Sequence, residues 1–258
     1  MMLTVQDVYD FINVRAPFDT QDSYDNAGLL VGDPAMAVTG IHVAMDVTQR
    51  VLDEAEAAHA NLLVTHHPLM FGGTHTILES TYEGRLLSRM IRGGMALIAA
   101  HTNLDRAQGG INDVLAATLG MEDVTGEGYL RIGQLPQAME AADFVNLVAH
   151  ALHTVVRPMG CMNGIIRRVA VSSGAGSDGW AEAAALGADA FITGEMKHHH
   201  ALALTDAGLL GLEAGHHATE EPGIFALADA LQNEYNAVKY SVCVSKSRVG
   251  AYAAPARP

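Results

Sequence analysis

Four times along this chain a short apolar run stops at a cluster of His and carboxylate residues, and this pattern restricts the fold more than any other feature. NLLVTHHP (61–68) ends in His66 and His67, and MALIAAHTNLD (95–105) ends in His101 and Asp105. ADAFITGEMKHHH (188–200) ends in Glu195 and His198 to His200, and LLGLEAGHHATE (209–220) ends in His216 and Glu220. Short apolar runs bounded by Gly, Pro and polar residues read as buried strands. Between them lie segments with helical spacing, among them 48–60, 83–94, 179–187 and 220–232. Strands alternating with helices predict an α/β chain. In parallel α/β sheets the loops after the strands line the ligand crevice, so the four clusters are expected to converge.

The clusters also echo one another. In the first half a strand ending THH precedes one ending AHTNLD, and in the second a strand ending TGEMKHH precedes one ending GHHATE. The echo predicts two similar α/β units, over 1–125 and 126–250, facing each other with a site in the cleft between them. In this reading the helix and strand expected over 220–245 pack back on the first unit, and 251–258 forms a flexible tail. A helix capped by Thr4 opens the chain. The less regular stretch 122–164 is assigned a strand near 129–135 and a helix at 140–152.

Composition narrows the chemistry. Two cysteines, Cys161 and Cys243, make neither a disulfide framework nor a four-thiolate zinc site. A formal charge of -14, from 15 Lys+Arg against 29 Asp+Glu, argues against nucleic acid and acidic membranes as partners. No apolar run approaches the ~18 residues of a membrane span, and the start MMLTVQDVYD lacks the basic region of a signal peptide. A cytoplasmic protein acting on a small molecule is the expectation.

Thirteen histidines are many for 258 residues, but their positions carry the signal. His42, His59, His75, His150 and His153 lie outside the clusters and are assigned no metal role. Within the clusters each residue has a structural alternative: Asp105 as a turn cap, Glu195 and Glu220 as acids favoured at a helix N-terminus. Four such coincidences at strand ends are harder to accept than one metal centre. Neutral imidazole suits Zn, Fe, Mn, Ni or Co, and a carboxylate can bridge two ions. His66 and His67, being adjacent on a strand, are expected to point oppositely and so to serve two neighbouring ions. His66, His67, His101, Asp105, His216 and Glu220 are the strongest candidates. SSGAGSDG (172–179) matches no nucleotide-binding loop and reads first as a turn; with Lys197 it is the candidate phosphate contact.

DNAGLLVGDP (25–34), THHPLMF (65–71), AHTNLD (100–105), GGIND (109–113), TGEMKHH (193–199) and GHHATEEPG (215–223) together resemble the signatures of the NIF-three-like (NGG-one interacting factor three-like) family, also labelled GTP cyclohydrolase type 2 homologues. The resemblance implies two divalent ions per chain, of unspecified identity, held by His66, His67, Asp105, His216 and Glu220. It implies a toroidal homohexamer, with His101 lining the site and Glu195 and His199 near the pocket. These last three are the candidates for proton transfer in catalysis. The chain departs from the family at His200, where an acid is more usual, and at Tyr24, where Trp is common. Two functions fit: a dinuclear metal-dependent hydrolase of a small, nucleotide-like substrate, or a metal-trafficking or regulatory protein without turnover.

Overall fold

The computed structural model describes residues 2–236, 240 and 242–250. The hydroxyl of Thr4 accepts the Asp7 N–H, and the Asp7 carboxylate accepts the Thr4 N–H at 2.8 Å, a reciprocal cap that starts helix α1 (Val5–Arg15). Strands β1 (Gly28–Val31) and β2 (Ile41–Ala44), helix α2 (Gln49–Ala57), strand β3 (Leu62–Thr65), helix α3 (Tyr82–Arg92), strand β4 (Ala96–Ala99) and the short α4 (Thr102–Arg106) follow. Then come α5 (Ile111–Thr118), β5 (Glu122–Thr125), β6 (Arg131–Glu140), α6 (Ala141–Ala151), β7 (Arg157–Met159) and β8 (Ile165–Ser172). The chain continues through α7 (Trp180–Ala185), β9 (Ala190–Thr193), α8 (His198–Asp206), β10 (Leu210–Glu213), α9 (His216–Glu234) and β11 (Val244–Lys246). The architecture is mixed α/β with two sheets. The tail expected over 251–258, and part of the strand expected over 238–245, lie outside the described residues.

Of the described residues, those up to 108 and those from 224 onward form one compact unit, and 109–223 form the other. The sequence echo places the boundary near 125 instead. Helix α5 packs on β6 and β8, which carries 109–125 into the second unit.

The first unit holds a sheet in the order β1-β4-β3-β2-β11, with only β1 antiparallel to its neighbour. Leu63 and Leu97 pack with Val51, Leu52 and Ala55 of α2 and Leu86 and Met90 of α3. Leu62, Val64, Ala96 and Ile98 are equally buried. Both faces are covered, so these strands read as continuous apolar runs without alternation.

His42 on β2 is buried there, its Nδ1 2.7 Å from the Ser245 hydroxyl on β11 and its Nε2 3.7 Å from Glu54 Oε2. Burial pulls its pKa below 6.5, and Glu54 offsets this only in part. A histidine kept neutral in the fold but free to protonate when unfolded contributes stability above pH 6.5 that is lost as the pH falls below it. The urea midpoint should therefore drop from pH 7.5 to 5.5, and His42→Phe should flatten that drop. Parallel curves for the two proteins would assign the pH dependence to other groups.

The second unit holds a sheet in the order β5-β6-β8-β9-β10-β7. Strands β8, β9 and β10 run parallel, while β5, β6 and β7 pair antiparallel. Strand alternation decides the two cores. Val169, Val171, Ala190 and Ile192 meet Leu115 of α5 and Phe144 and Val148 of α6, while Ala170 and Phe191 meet Ala183 of α7 and Leu204 of α8. The largely exposed β5 and β7 carry no apolar run, so periodicity does not reveal them. No helix among the described residues is long and apolar enough to cross a membrane.

Candidate metal centre

In the first unit the parallel pairing of Val43 with Val64 and of Thr65 with Ala99 aligns the C-terminal ends of β2, β3 and β4. The next residues on each strand then meet. His66 Nδ1 lies 2.8 Å from the Ala100 carbonyl, and His67 Nδ1 lies 2.8 Å from Asp46 Oδ1. His101 Nδ1 lies 2.8 Å from Asp25 Oδ1. A carbonyl only accepts, so His66 donates from Nδ1 and keeps its lone pair on Nε2. The carboxylates favour the same tautomer in His67 and His101. The three rings converge, with centroids 4.9 to 5.5 Å apart, and each offers a ligand atom within 4.8 Å of the others. His66 Nε2 also faces Asp105 Oδ1 at 3.4 Å.

Strand alternation led to the expectation that His66 and His67 point apart. They converge because β3 ends at Thr65, and the pleat ends with it.

Asp25 is the anchor of this group. Its carboxylate accepts from His101, from the Thr102 N–H at 3.0 Å and from the Thr102 hydroxyl, and it receives the Asn26 N–H at 2.7 Å. Burial alone would raise its pKa. The hydrogen bonds and the electrostatic attraction of the His101 ring outweigh burial and hold the carboxyl well below its usual range.

In the second unit a histidine is also held through its Nδ1. Helix α9 begins at His216, one turn earlier than its Pro222 suggests, so His216 and Glu220 stand at i and i+4 on one face. His216 Nδ1 meets Glu195 Oε1 at 2.9 Å, and its Nε2 meets Glu220 Oε2 at 3.2 Å. Burial pulls the His216 pKa down, but the two carboxylates reverse this and lift it to about 9. The field at Nε2 thus favours a positive charge.

Gly174, after β8, makes room for this pair. Its φ is +56°, and a Cβ there would sit 2.1 Å from Glu220 Oε1 and 3.2 Å from His216 Nε2. Its N–H donates to Thr219 Oγ1 at 3.0 Å, and its carbonyl accepts the Glu195 N–H at 2.8 Å. The preceding Ser173 N–H donates to the buried Asn112 side chain at 2.8 Å. The GGIND motif therefore fixes the turn that carries Gly174. Reading SSGAG as a plain turn missed this role, and Asp25 and Asp46 carry no role in the sequence reading either. The strand-end rule would have found Asp46, which directly follows the GIHVAM run.

The remaining candidates lie apart from these contacts. His199 is exposed, with its ring against His200 at 4.2 Å. His200 faces Ser177 at 3.1 Å and Asp178 at 3.4 Å, and Lys197 Nζ bonds both Asp178 oxygens at 3.0 Å.

Imidazole Nε2 atoms oriented through their other nitrogen, with carboxylates facing them and no thiolate, make a donor set suited to a divalent cation. The sequence profile of the family described as Duf34/NIF3 (NGG1p interacting factor 3) matches residues 3–249. A Clostridium perfringens protein named "GTP cyclohydrolase 1 type 2 homolog" is 33% identical, over 89% of this chain and 92% of its own length. A Streptomyces coelicolor protein of the same name is 34% identical, over 86% and 83%. The crystal structure of Staphylococcus aureus protein SA1388 superposes with a TM-score of 0.90 at 26% identity, covering 96% of this chain and 97% of that one.

Proposed function

Since this chain belongs to the Duf34/NIF3 family, we propose that it is a dinuclear metal-dependent hydrolase of a small, nucleotide-like substrate. His66, His67 and Asp105 of the first unit and His216 and Glu220 of the second would hold two divalent ions, in a chain built as an internal repeat and assembled as a toroidal hexamer. The observation that carries the reading is that the three histidines of this set each have Nδ1 held by an acceptor, which presents Nε2 as the donor. Conserving a tautomer in this way is what metal-ligating imidazoles need.

Two bound ions supply Lewis acidity that activates water for hydrolysis near neutral pH. The chain's own residues do the rest. Asp46 and the Ala100 carbonyl fix the orientation of His67 and His66, and Glu195 does so for His216. Glu195 is thereby a positioning residue more than a proton shuttle. His101, backed by Asp25, exchanges protons with the reacting groups at Nε2, and His199 is the second candidate for that task. The name shared by the curated relatives makes a purine nucleotide attacked at C8 the first substrate to test.

Reconstituted protein should hold close to two ions per chain by metal analysis, and Glu220→Ala should lower that number. One ion per chain, unchanged by the substitution, would refute the dinuclear assignment. Turnover of a nucleotide panel should be abolished by chelation. The engagement of Glu195 with His216 favours a second reading, a metal-trafficking or regulatory protein, and fully loaded protein without turnover of any nucleotide would select it.

A further inference from the structure

Beside the three histidines of the first unit stand two aromatic rings that the core does not use. Tyr24 is 61% exposed and Phe71 is 50% exposed. Their centroids are 6.1 Å apart with planes inclined at 55°, and Phe71 meets the His101 ring edge-on at 5.8 Å. We propose that Tyr24 and Phe71 form a stacking platform that receives a planar heteroaromatic ring of nucleobase size next to His101. This rests on the hydrolase reading for its substrate and names how that substrate would be held.

Local hydrogen bonding ties down the loops of the platform although both rings are exposed. Asn26 Nδ2 donates to the Met70 carbonyl at 2.6 Å, tying the loop that carries Tyr24 to the loop that carries Phe71. Asp25, adjacent to Tyr24, is bonded to His101 and Thr102. Rings fixed in place before the ligand arrives lose little conformational freedom on stacking, so more of the contact energy appears as affinity. Exposed aromatic pairs held beside polar ligand atoms also match the usual make-up of small-molecule sites, apolar surface with a few convergent polar groups.

Charge favours such a platform. At a net charge of -14 the chain offers little attraction to phosphate. Two side-chain cations are engaged by carboxylates, Lys197 with Asp178 at 3.0 Å and Arg106 with Asp22 at 2.7 Å. A ring contact adds recognition that needs no protein cation, and stacking accepts any base because each presents a π face.

The test is calorimetric titration of the full-length protein, with Zn²⁺ and again with chelator, using guanosine, adenosine and ribose 5-phosphate as probes. Both nucleosides should bind at least about ten-fold more tightly than ribose 5-phosphate, the stacking contribution expected of one base. Tyr24→Leu and Phe71→Leu should each weaken nucleoside binding about ten-fold or more, leaving metal content and ribose 5-phosphate binding unchanged. Tyr24→Trp, which restores a ring, should retain the affinity. Nucleosides that bind no better than ribose 5-phosphate, or Leu variants that bind like the wild type, would overturn the platform. So would Leu variants that change only the oligomeric state, since the rings would then serve subunit contact. Metal content measured separately distinguishes failure of the platform from failure of the metal centre.

Discussion

Gly174→Ala should leave the protein folded and remove most of its metal. A Cβ at this position meets Glu220 Oε1 at 2.1 Å, the far end of a flexible side chain that can swing away. The backbone at φ +56° suits a left-handed residue, for which alanine costs about 1–2 kcal/mol. The stability loss is therefore modest, but Glu220 can no longer face His216 Nε2, where the separation is now 3.2 Å. Metal analysis should show a loss as large as that of Glu220→Ala, with the urea midpoint lowered only slightly. Gly194→Ala is the contrasting case. There a Cβ would lie 2.6 Å from the Gly174 carbonyl oxygen and 2.7 Å from His216 Cα, and neither backbone atom can yield without moving the turn. Overpacking of this kind costs about 1–3 kcal/mol or more, so this variant should lose stability and metal together. A Gly174→Ala protein that holds metal as well as the wild type would remove Glu220 from the ligand set.

Asp25→Ala should be among the most damaging single substitutions in the first unit. The side chain is fully buried and satisfies His101 Nδ1, the Thr102 N–H and the Thr102 hydroxyl at once. Its removal leaves those donors without their acceptor inside the fold, and each buried donor left unsatisfied costs about 1–3 kcal/mol. Asp25→Asn keeps the volume and one acceptor oxygen and should cost less. Equilibrium urea denaturation of both variants gives the answer. A loss below about 1 kcal/mol for the alanine protein, the value expected of an exposed ion pair, would show that Asp25 does not anchor this loop.

Much of this was legible in the chain because the signals were local. Apolar runs such as LLVT (62–65) and AFIT (190–193) announce strands covered on both faces, and Thr4 announces its helix through a cap reaching three residues. The polar clusters at strand ends named His66, His67 and His101, whose rings the structure brings together. The weaker elements escaped for equally physical reasons: β5 and β7 are short and largely exposed with no apolar run, and α4 and α5 are too short to show a long periodic face.

What the sequence determined by itself is which residues are available: four strand ends that deliver imidazoles and carboxylates, in an acidic α/β chain. What only the tertiary structure decided is how those residues are aimed. The proton on each Nδ1 is placed by an acceptor distant in the chain, with Asp25 76 residues from His101 and Glu195 21 residues from His216. The start of α9 at His216, despite Pro222, sets the pairing with Glu220, and the missing Cβ of Gly174 leaves space for it. Tautomer, helix start and close approach depend on neighbours brought together by folding, and no local pattern of residues encodes them.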